Sequence, residues 1–450
     1  MLLTISNHIH SADRSVRVLV SEILKHIESG NLYPGYQFPL VKEQAVIFRV
    51  SRFTINRVIK ELMELGAVIS SKKRIYVSKP KKDLLQLDFG HPHPAHVQEF
   101  QRFFAVRTMP TVPSDGNRRQ LIEKLLVDKY HAEFPFMHFE NTQLCFYNSW
   151  SMAMILIGKM LDAKSVAVDG IMESPLTRSL SLFSKEVIML GERPEGMDIH
   201  RFRGLCRAGR VSVLVFAPRV RCPFGAPMDQ HSIAEILQIV EQYHIPLVEV
   251  DLCDGLCYGE TPYEPVALRA LQKGLNAVYL RPLAPLPVQT LFSPVIIARE
   301  ELICQLRLHR LAVEVDMPQF ENAAFDMLLN KDFAKKVVGM REEYRMKRDY
   351  LYSRLTSFAN REYSVSLPVG GLSVWVSLPE EISQRAFCST LREMGVAVPD
   401  YYYYARPYAS HHGIKIGFAT LDRPAMNRVA ACIHAAVTKL HNQTRPMRRA

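Results

Sequence analysis

No stretch of this sequence approaches the roughly 20 consecutive apolar residues that a helix needs to cross a bilayer, so nothing in it reads as a membrane span. The opening residues, MLLTISNHIHSADRS, lack the basic start and apolar run of a secretory signal, and a cytoplasmic protein is expected. Cysteine is sparse. Eight residues scattered over 450 do not make a disulfide framework. Cys253 and Cys257 stand four apart, Cys206 and Cys222 fall in the same region, and no His or Cys partner stands at zinc-finger spacing. Reduced thiols in or near a core are the expected state, with a redox or metal role as the alternative.

The length implies two or more domains, because single cores seldom grow past about 250–300 residues. A hydrophobic fraction of 48% and a charged fraction of 22% are ordinary for a globular chain. The net charge of +11 allows polyanions as partners. Its distribution is more telling. Residues 1–80 hold twelve Lys or Arg against six Asp or Glu, which concentrates over half the excess charge in under a fifth of the chain. Nucleic-acid binders show such a basic segment.

Within that segment, Val16, Leu19, Val20, Ile23, Leu24 and Ile27 form a helical stripe over 15–29, stopped by Gly30. The turn Tyr33-Pro34-Gly35 and then Pro39 precede a short helix, Val41 to Phe48, which carries Lys42. Ser51 can cap the next helix, Arg52 to Leu65, through its hydroxyl. Ile55, Val58, Ile59 and Leu62 share one face of that helix, and Gly66 ends it. Two short strands, Val68–Ser70 and Arg74–Val77, flank the basic tip Lys72-Lys73. The order predicts a winged helix-turn-helix, whose second helix enters the major groove with its early residues near base edges. Arg52, Thr54, Asn56 and Arg57 are the polar residues there, and arginine and asparagine can read guanine and adenine bidentately.

Residues 15–79 resemble the GntR family. Its signature I-x-x-G-x-x-x-P-G-x-x-x-P stands here as Ile27, Gly30, Pro34, Gly35 and Pro39, and its G-V-S-R-x-T-V as Arg49-Val50-Ser51-Arg52-Phe53-Thr54-Ile55. The resemblance places DNA contacts on Lys42, Ser51, Arg52, Thr54, Asn56 and the wing residue Lys72. Lys73 and Arg74 stand where the family's wing commonly has glycine, and the added charge favours phosphate or the minor groove.

Residues 80–118 lack a clear period and are rich in proline, as in His91-Pro92-His93-Pro94, so an irregular linker is expected. Leu87 to Gly90 should already pack on the following domain, since forty structureless residues are unusual in a compact protein. A metal site from His91, His93 and His96 lacks any supporting cysteine or HExxH context.

From residue 119 to 450, helical patterns alternate with short apolar runs: Ser165–Asp169, Glu186–Leu190, Val211–Ala217, Pro246–Asp251 and Asn276–Leu280. This predicts an α/β domain with a mostly parallel sheet, a large lobe over about 119–330, and a small α+β lobe over about 360–450 preceded by a long helix, Lys331–Phe358.

The order resembles the fold-type I aminotransferases, and with the head it resembles the MocR subfamily, in which a winged helix is fused to a pyridoxal-phosphate-binding sensor domain. The resemblance covers nearly the whole chain, but its motifs are eroded. The family's I-E-D-D-Y-D-S-E-F-R-Y meets residues 248–258, where Val250 replaces the aspartate that contacts the ring nitrogen and Leu252 replaces the tyrosine. A carboxylate there keeps the ring protonated, which valine cannot do. Asp251 is one residue off and should point to the other face. The family's P-S-H-Q-F-P-T-G meets Pro218-Arg219-Val220-Arg221-Cys222-Pro223-Phe224-Gly225, keeping the proline–glycine frame and losing the polar content. D-P-G-Y-P-G meets residues 170–175 with no aromatic. I-Y-I-G-S-F-S-K-T-L meets residues 278–287: Tyr279 is kept, the Schiff-base lysine falls on Pro285, the phosphate-holding serines fall on Pro282 and Ala284, and the following arginine falls on Phe292. Proline cannot form the imine that amine catalysis requires. Lys273 lies twelve residues upstream. Lys415 stands at the carboxylate-binding arginine, keeping the charge without the fork.

The reading is therefore a homodimeric DNA-binding transcriptional regulator with a catalytically dead aminotransferase-like domain, no bound pyridoxal phosphate, a double-stranded operator as partner, and an unidentified small-molecule effector. Alternatives are a regulator that senses pyridoxal phosphate non-covalently, and an active aminotransferase with an accessory head. The run Tyr401–Tyr404 could line a site or simply pack.

Overall fold

The structure, a computed structural model, describes residues 15–28, 32, 36–71, 74–78, 84–88, 90–105, 117–137, 140–169, 179–190, 196–253, 255–259, 263–283, 293–313, 318–358, 362–398 and 412–444. The helices Val16–Glu28, Val41–Phe48 and Arg52–Glu64 form the head with the hairpin β1 (Val68–Ser71) and β2 (Arg74–Val77). The predicted stripe becomes its core: Leu19, Val20, Ile23 and Leu24 pack against Ile55, Val58, Ile59 and Leu62, with Phe48 and Val77 closing the bundle. Fully burying side chains of this size contributes about 1.5–3 kcal/mol each, which is how so small a unit holds together.

The region expected to be irregular contains two regular pieces. β3 (Leu85–Gln86) pairs in parallel with Val396–Ala397, and a helix spans Pro94–Ala105. Proline at a first helical position loses no bond, because that amide has no partner inside the helix. Asp88 fastens the segment to the small lobe. Its backbone carbonyl accepts from Gly417, and its carboxylate accepts from Thr420 at 2.7 Å.

The large lobe is built on a seven-stranded sheet. Its strands are β4 (Leu144–Phe146), β5 (Ser165–Asp169), β6 (Glu186–Met189), β7 (Val213–Phe216), β8 (Leu247–Val250), β9 (Ala277–Pro282) and β10 (Pro294–Ala298), in the order β4-β10-β9-β8-β7-β5-β6. The run β9-β8-β7-β5-β6 is parallel, while β10 is antiparallel to both its neighbours. Strands buried on both faces read as continuous apolar runs, as the fully buried VLVF of β7 and PVIIA of β10 show. The two faces feed separate cores. One includes Leu214, Phe216, Leu247 and Tyr279; the other includes Val213, Val215, Val248 and Val250.

The helix Lys331–Phe358 leads into the small lobe. There β11 (Ser364–Val365), β12 (Ser373–Ser377) and β14 (Gly413–Gly417) form a three-stranded sheet, and β13 (Val396–Ala397) pairs with β3. The helix Gln384–Glu393 of this lobe touches the head. Ser389 Oγ donates to the Glu64 carbonyl, and Arg385 Nη2 lies 3.1 Å from Glu64 and 3.4 Å from Glu61.

Candidate functional site

In the head, the turn between the second and third helices positions the expected DNA contacts. Arg49 caps the helix Val41–Phe48 in the left-handed region, at φ 51° and ψ 48°. That conformation suits glycine, the residue that the GntR pattern has there. Ser51 then caps the third helix: its Oγ accepts from the Thr54 amide at 3.0 Å and lies 2.9 Å from Thr54 Oγ1. This holds Thr54 half-buried against the cap and leaves Arg52, Phe53, Asn56 and Arg57 facing solvent. Lys42 on the short helix and Arg74 on β2 are exposed as well. Among the described residues, none of Lys42, Arg52, Arg57 and Arg74 has an acidic partner within ion-pair distance. Lys72 and Lys73 lie outside the described residues.

At the carboxyl ends of β5, β7, β8 and β9, buried and half-buried charged side chains pair with one another. Arg221 presents Nε and Nη2 to the two oxygens of Asp169, each at 3.0 Å, and both residues are almost fully buried. Arg219 Nη1 lies 2.8 Å from Asp251 Oδ2, and its guanidinium sits 4.9 Å from the Tyr263 ring centre. Tyr279 donates to the same Asp251 oxygen at 3.1 Å. Glu249 accepts from Tyr263 Oη at 2.5 Å and from the Ala267 amide at 2.7 Å, which also caps the helix Val266–Gln272. Burial pushes the Glu249 carboxyl up to about 8, against those two hydrogen bonds. Arg281 pairs with Glu133 at 2.9 Å and lies over the Tyr130 ring at 4.5 Å.

The side-chain alternation expected along β8 is present. Val250 packs in the apolar cluster with Trp150, Val248 and Leu280, and Leu252 packs against it, while Asp251 turns to Arg219 and Tyr279. Lys415, on β14, donates to Cys222 Sγ at 3.7 Å. Lys273 is exposed at the end of the helix Val266–Gln272. Pro285, Phe292, residues 170–175 and Tyr401–Tyr404 lie outside the described residues. Sequence reasoning treated 218–225 as having lost its polar content. The structure shows instead that Arg221 carries a buried ion pair there and the half-buried Arg219 carries a second. The signal was the alternate arginines in a turn that follows a buried strand. His91, His93 and His96 do not assemble a ligand set: the His93 amide and His96 Nδ1 both bond Tyr344 Oη, at 2.9 and 2.8 Å, and no metal-binding group forms among the described residues.

The architecture is a winged-helix-like head followed by an α/β domain with the fold-type I aminotransferase sheet topology. Over 80% of this chain and 94% of the other, it superposes on the α-aminoadipate aminotransferase LysN from Thermus thermophilus with a TM-score of 0.65 at 18% identity. An archaeal alanine:glyoxylate aminotransferase matches over 92% of this chain and 99% of its own, with a TM-score of 0.66 at 16% identity. In sequence, the chain is 23% identical over 231 residues to the 2-aminoadipate transaminase of Thermus thermophilus, a match that spans 51% of this chain and 58% of that protein. It is 21% identical over 446 residues, 95% of this chain and 99% of the other, to the vitamin B6 salvage pathway transcriptional repressor PtsJ of Salmonella typhimurium. The chain thus spans little more than half the length of most curated relatives it matches, PtsJ being matched end to end. No family model matches the chain.

Proposed function

We propose that this protein is a sequence-specific DNA-binding transcription regulator that works as a homodimer, with an aminotransferase-like domain that performs no amine chemistry. The observation that carries this reading is the row of exposed cations on the head, Lys42, Arg52, Arg57 and Arg74, none paired to a described acid. Unpaired cations at the start of a groove-sized helix are what phosphates and guanine edges engage. The end-to-end similarity to a transcriptional repressor supports the same reading. Two heads on a two-fold dimer would meet two half-sites.

The donor set of the large domain does not fit pyridoxal phosphate as an enzyme holds it. The residue at the ring-nitrogen position is Val250, packed in an apolar cluster, and the carboxylate that follows it, Asp251, is engaged by Arg219 and Tyr279. A binding titration of the full chain and of a chain lacking residues 1–79, on operator and scrambled duplex at several salt concentrations, tests the DNA assignment. The truncated chain should bind neither duplex. Retained operator binding would remove the head as reader. Sedimentation at micromolar concentration should show a dimer without DNA or cofactor.

The likeness to a vitamin B6 pathway repressor favours a second reading, in which a B6 vitamer is sensed without a covalent bond. Protein mixed with pyridoxal phosphate and then borohydride separates the three cases. A lysine-linked adduct on peptide mapping speaks for enzyme-like binding, saturable binding without an adduct for the sensor, and no binding for the first reading.

A further inference from the structure

Once the core of the head has formed, one face of its third helix, Arg52–Glu64, is left over. Ile55, Val58, Ile59 and Leu62 are buried in the bundle. Phe53, Asn56, Arg57 and Lys60 recur at i, i+3, i+4 and i+7, so they share another face, and all four are exposed. Three of these side chains suit water and the fourth does not. Phe53 stands 72% in solvent, whereas Phe38 and Phe48 of the same head are 2% and 1% exposed. At that exposure its ring keeps in water an apolar area whose burial would be favourable. The backbone fixes where the ring is carried. Phe53 is the second residue of the helix, inside the first turn, which the Ser51 hydroxyl closes by accepting from the Thr54 amide. Arg52 precedes it, and Lys42 is exposed on the short helix before the turn. Whatever covers this ring has to be apolar where it meets the phenyl group and anionic around that point.

We propose that Phe53 is a specificity-determining residue that reads thymine: its ring packs on the C5-methyl group of a thymine in the major groove and so selects a T·A pair at that position. The proposal rests on the DNA-binding reading of the head and names one of the bases that the head requires. The early residues of a recognition helix lie nearest to the base edges. Thymine is the one base that presents a methyl group in that groove, while guanine, adenine and cytosine present hydrogen-bond donors and acceptors. A phenyl ring pressed on those groups would strip their water and return no hydrogen bond. Against the methyl group nothing polar is lost on either side. The cations Lys42 and Lys60 draw duplex of any sequence, and the ring discriminates within what they draw. Two side-chain torsions are all that must be immobilised, because a phenyl group on a capped helix turn is rigid beyond them.

In the test, the full-length protein first selects its preferred duplex from a random pool. Each thymine of that duplex is then replaced in turn by deoxyuridine, which pairs as thymine does and lacks only the C5-methyl group. One thymine in each half-site should respond, with affinity falling by about fourfold per methyl group, the worth of one buried carbon of that size. Phe53→Ala should bind the thymine duplex more weakly and lose the response at that position, and Phe53→Leu should keep part of it. Arg52→Ala should weaken binding yet keep the response. Because the ring is exposed, the unfolding midpoint should not move in the Phe53 variants, and the deoxyuridine series on the parent protein needs no variant at all. The proposal is overturned if no thymine responds, or if Phe53→Ala responds as the parent does. It is overturned too if Phe53→Ala changes sedimentation alone, which would make the ring a contact between protein chains. A pool that yields no preferred duplex is a different result: it removes the DNA-binding reading itself, and this proposal with it.

Discussion

The head and the large-domain pocket hold cations in opposite ways. On the head, Lys42, Arg52, Arg57 and Arg74 stand in solvent without acidic partners among the described residues. At the ends of β5, β7, β8 and β9, Arg221, Arg219 and Arg281 are each matched to a carboxylate, and Arg221 and Arg281 are almost fully buried. The solvated set costs the fold little and is available to a polyanion. The buried set can exist only because each charge has its counterpart. The same residue type thus stays open to a partner in one place and serves internal cohesion in the other, and exposure decides which.

The sharpest way to break this comparison is to orphan a buried charge. Arg221→Ala leaves Asp169 with no guanidinium in a dry site and should cost roughly 3–5 kcal/mol, read as a lower urea midpoint. If the midpoint hardly moves, the pair does not hold the turn after β7. The second test uses pH. Glu249 is pushed from an ordinary value of 4.5 up to about 8 in the folded chain. Folding therefore retains its proton where the unfolded chain releases it. The contribution is fully present below pH 4.5 and is lost as pH rises through about 8, at about 1.4 kcal/mol per pH unit inside that window. Glu249→Gln should flatten this part of the stability curve, and urea titrations from pH 5 to pH 8 on both proteins would show it.

On the head the effects should fall on binding instead of folding. Arg52→Ala should cost about 1–3 kcal/mol of operator affinity and relax preference at one base position, while leaving the unfolding midpoint alone. Arg74→Ala should weaken operator and scrambled duplex alike and lower the salt slope by about one counterion. The smallest expected change is Arg49→Gly. It relieves a left-handed residue, worth about 1–2 kcal/mol, but adds unfolded-chain freedom that offsets about 0.5–1 kcal/mol of this. A gain of up to about 1.5 kcal/mol in thermal or urea stability is the outcome to look for.

The head was legible from sequence because its signals are local. The apolar stripe of 16–27, the Ser51 cap and the Val41–Phe48 helix each depend on neighbours a few residues away, and the observed boundaries agree within two residues at each end. The alternation of strand and helix in the large lobe was legible for the same reason. Contacts between distant segments were not. β3 is two residues long and pairs with β13 more than three hundred residues later, which no periodicity announces. The helix Pro94–Ala105 was hidden by the prolines before it. The antiparallel pairing of β10 with β4 and the Arg221–Asp169 pair likewise join parts of the chain far apart in sequence.

The pairing of β3 with β13 sets the length of the leash on which the head is carried. Seven residues separate the last residue of β2, Val77, from the first residue of β3, Leu85. At about 3.3–3.6 Å per residue, such a segment reaches under 30 Å even when pulled straight. The head therefore stays within that reach of the small lobe. A tilt of that lobe against the sheet would swing both the anchor point at Leu85 and the Arg385 contact at the rear of the third helix in the same direction. In a two-fold pair such a tilt would appear as a change in the distance between two readers, a quantity that duplex DNA measures in steps of its own helical turn.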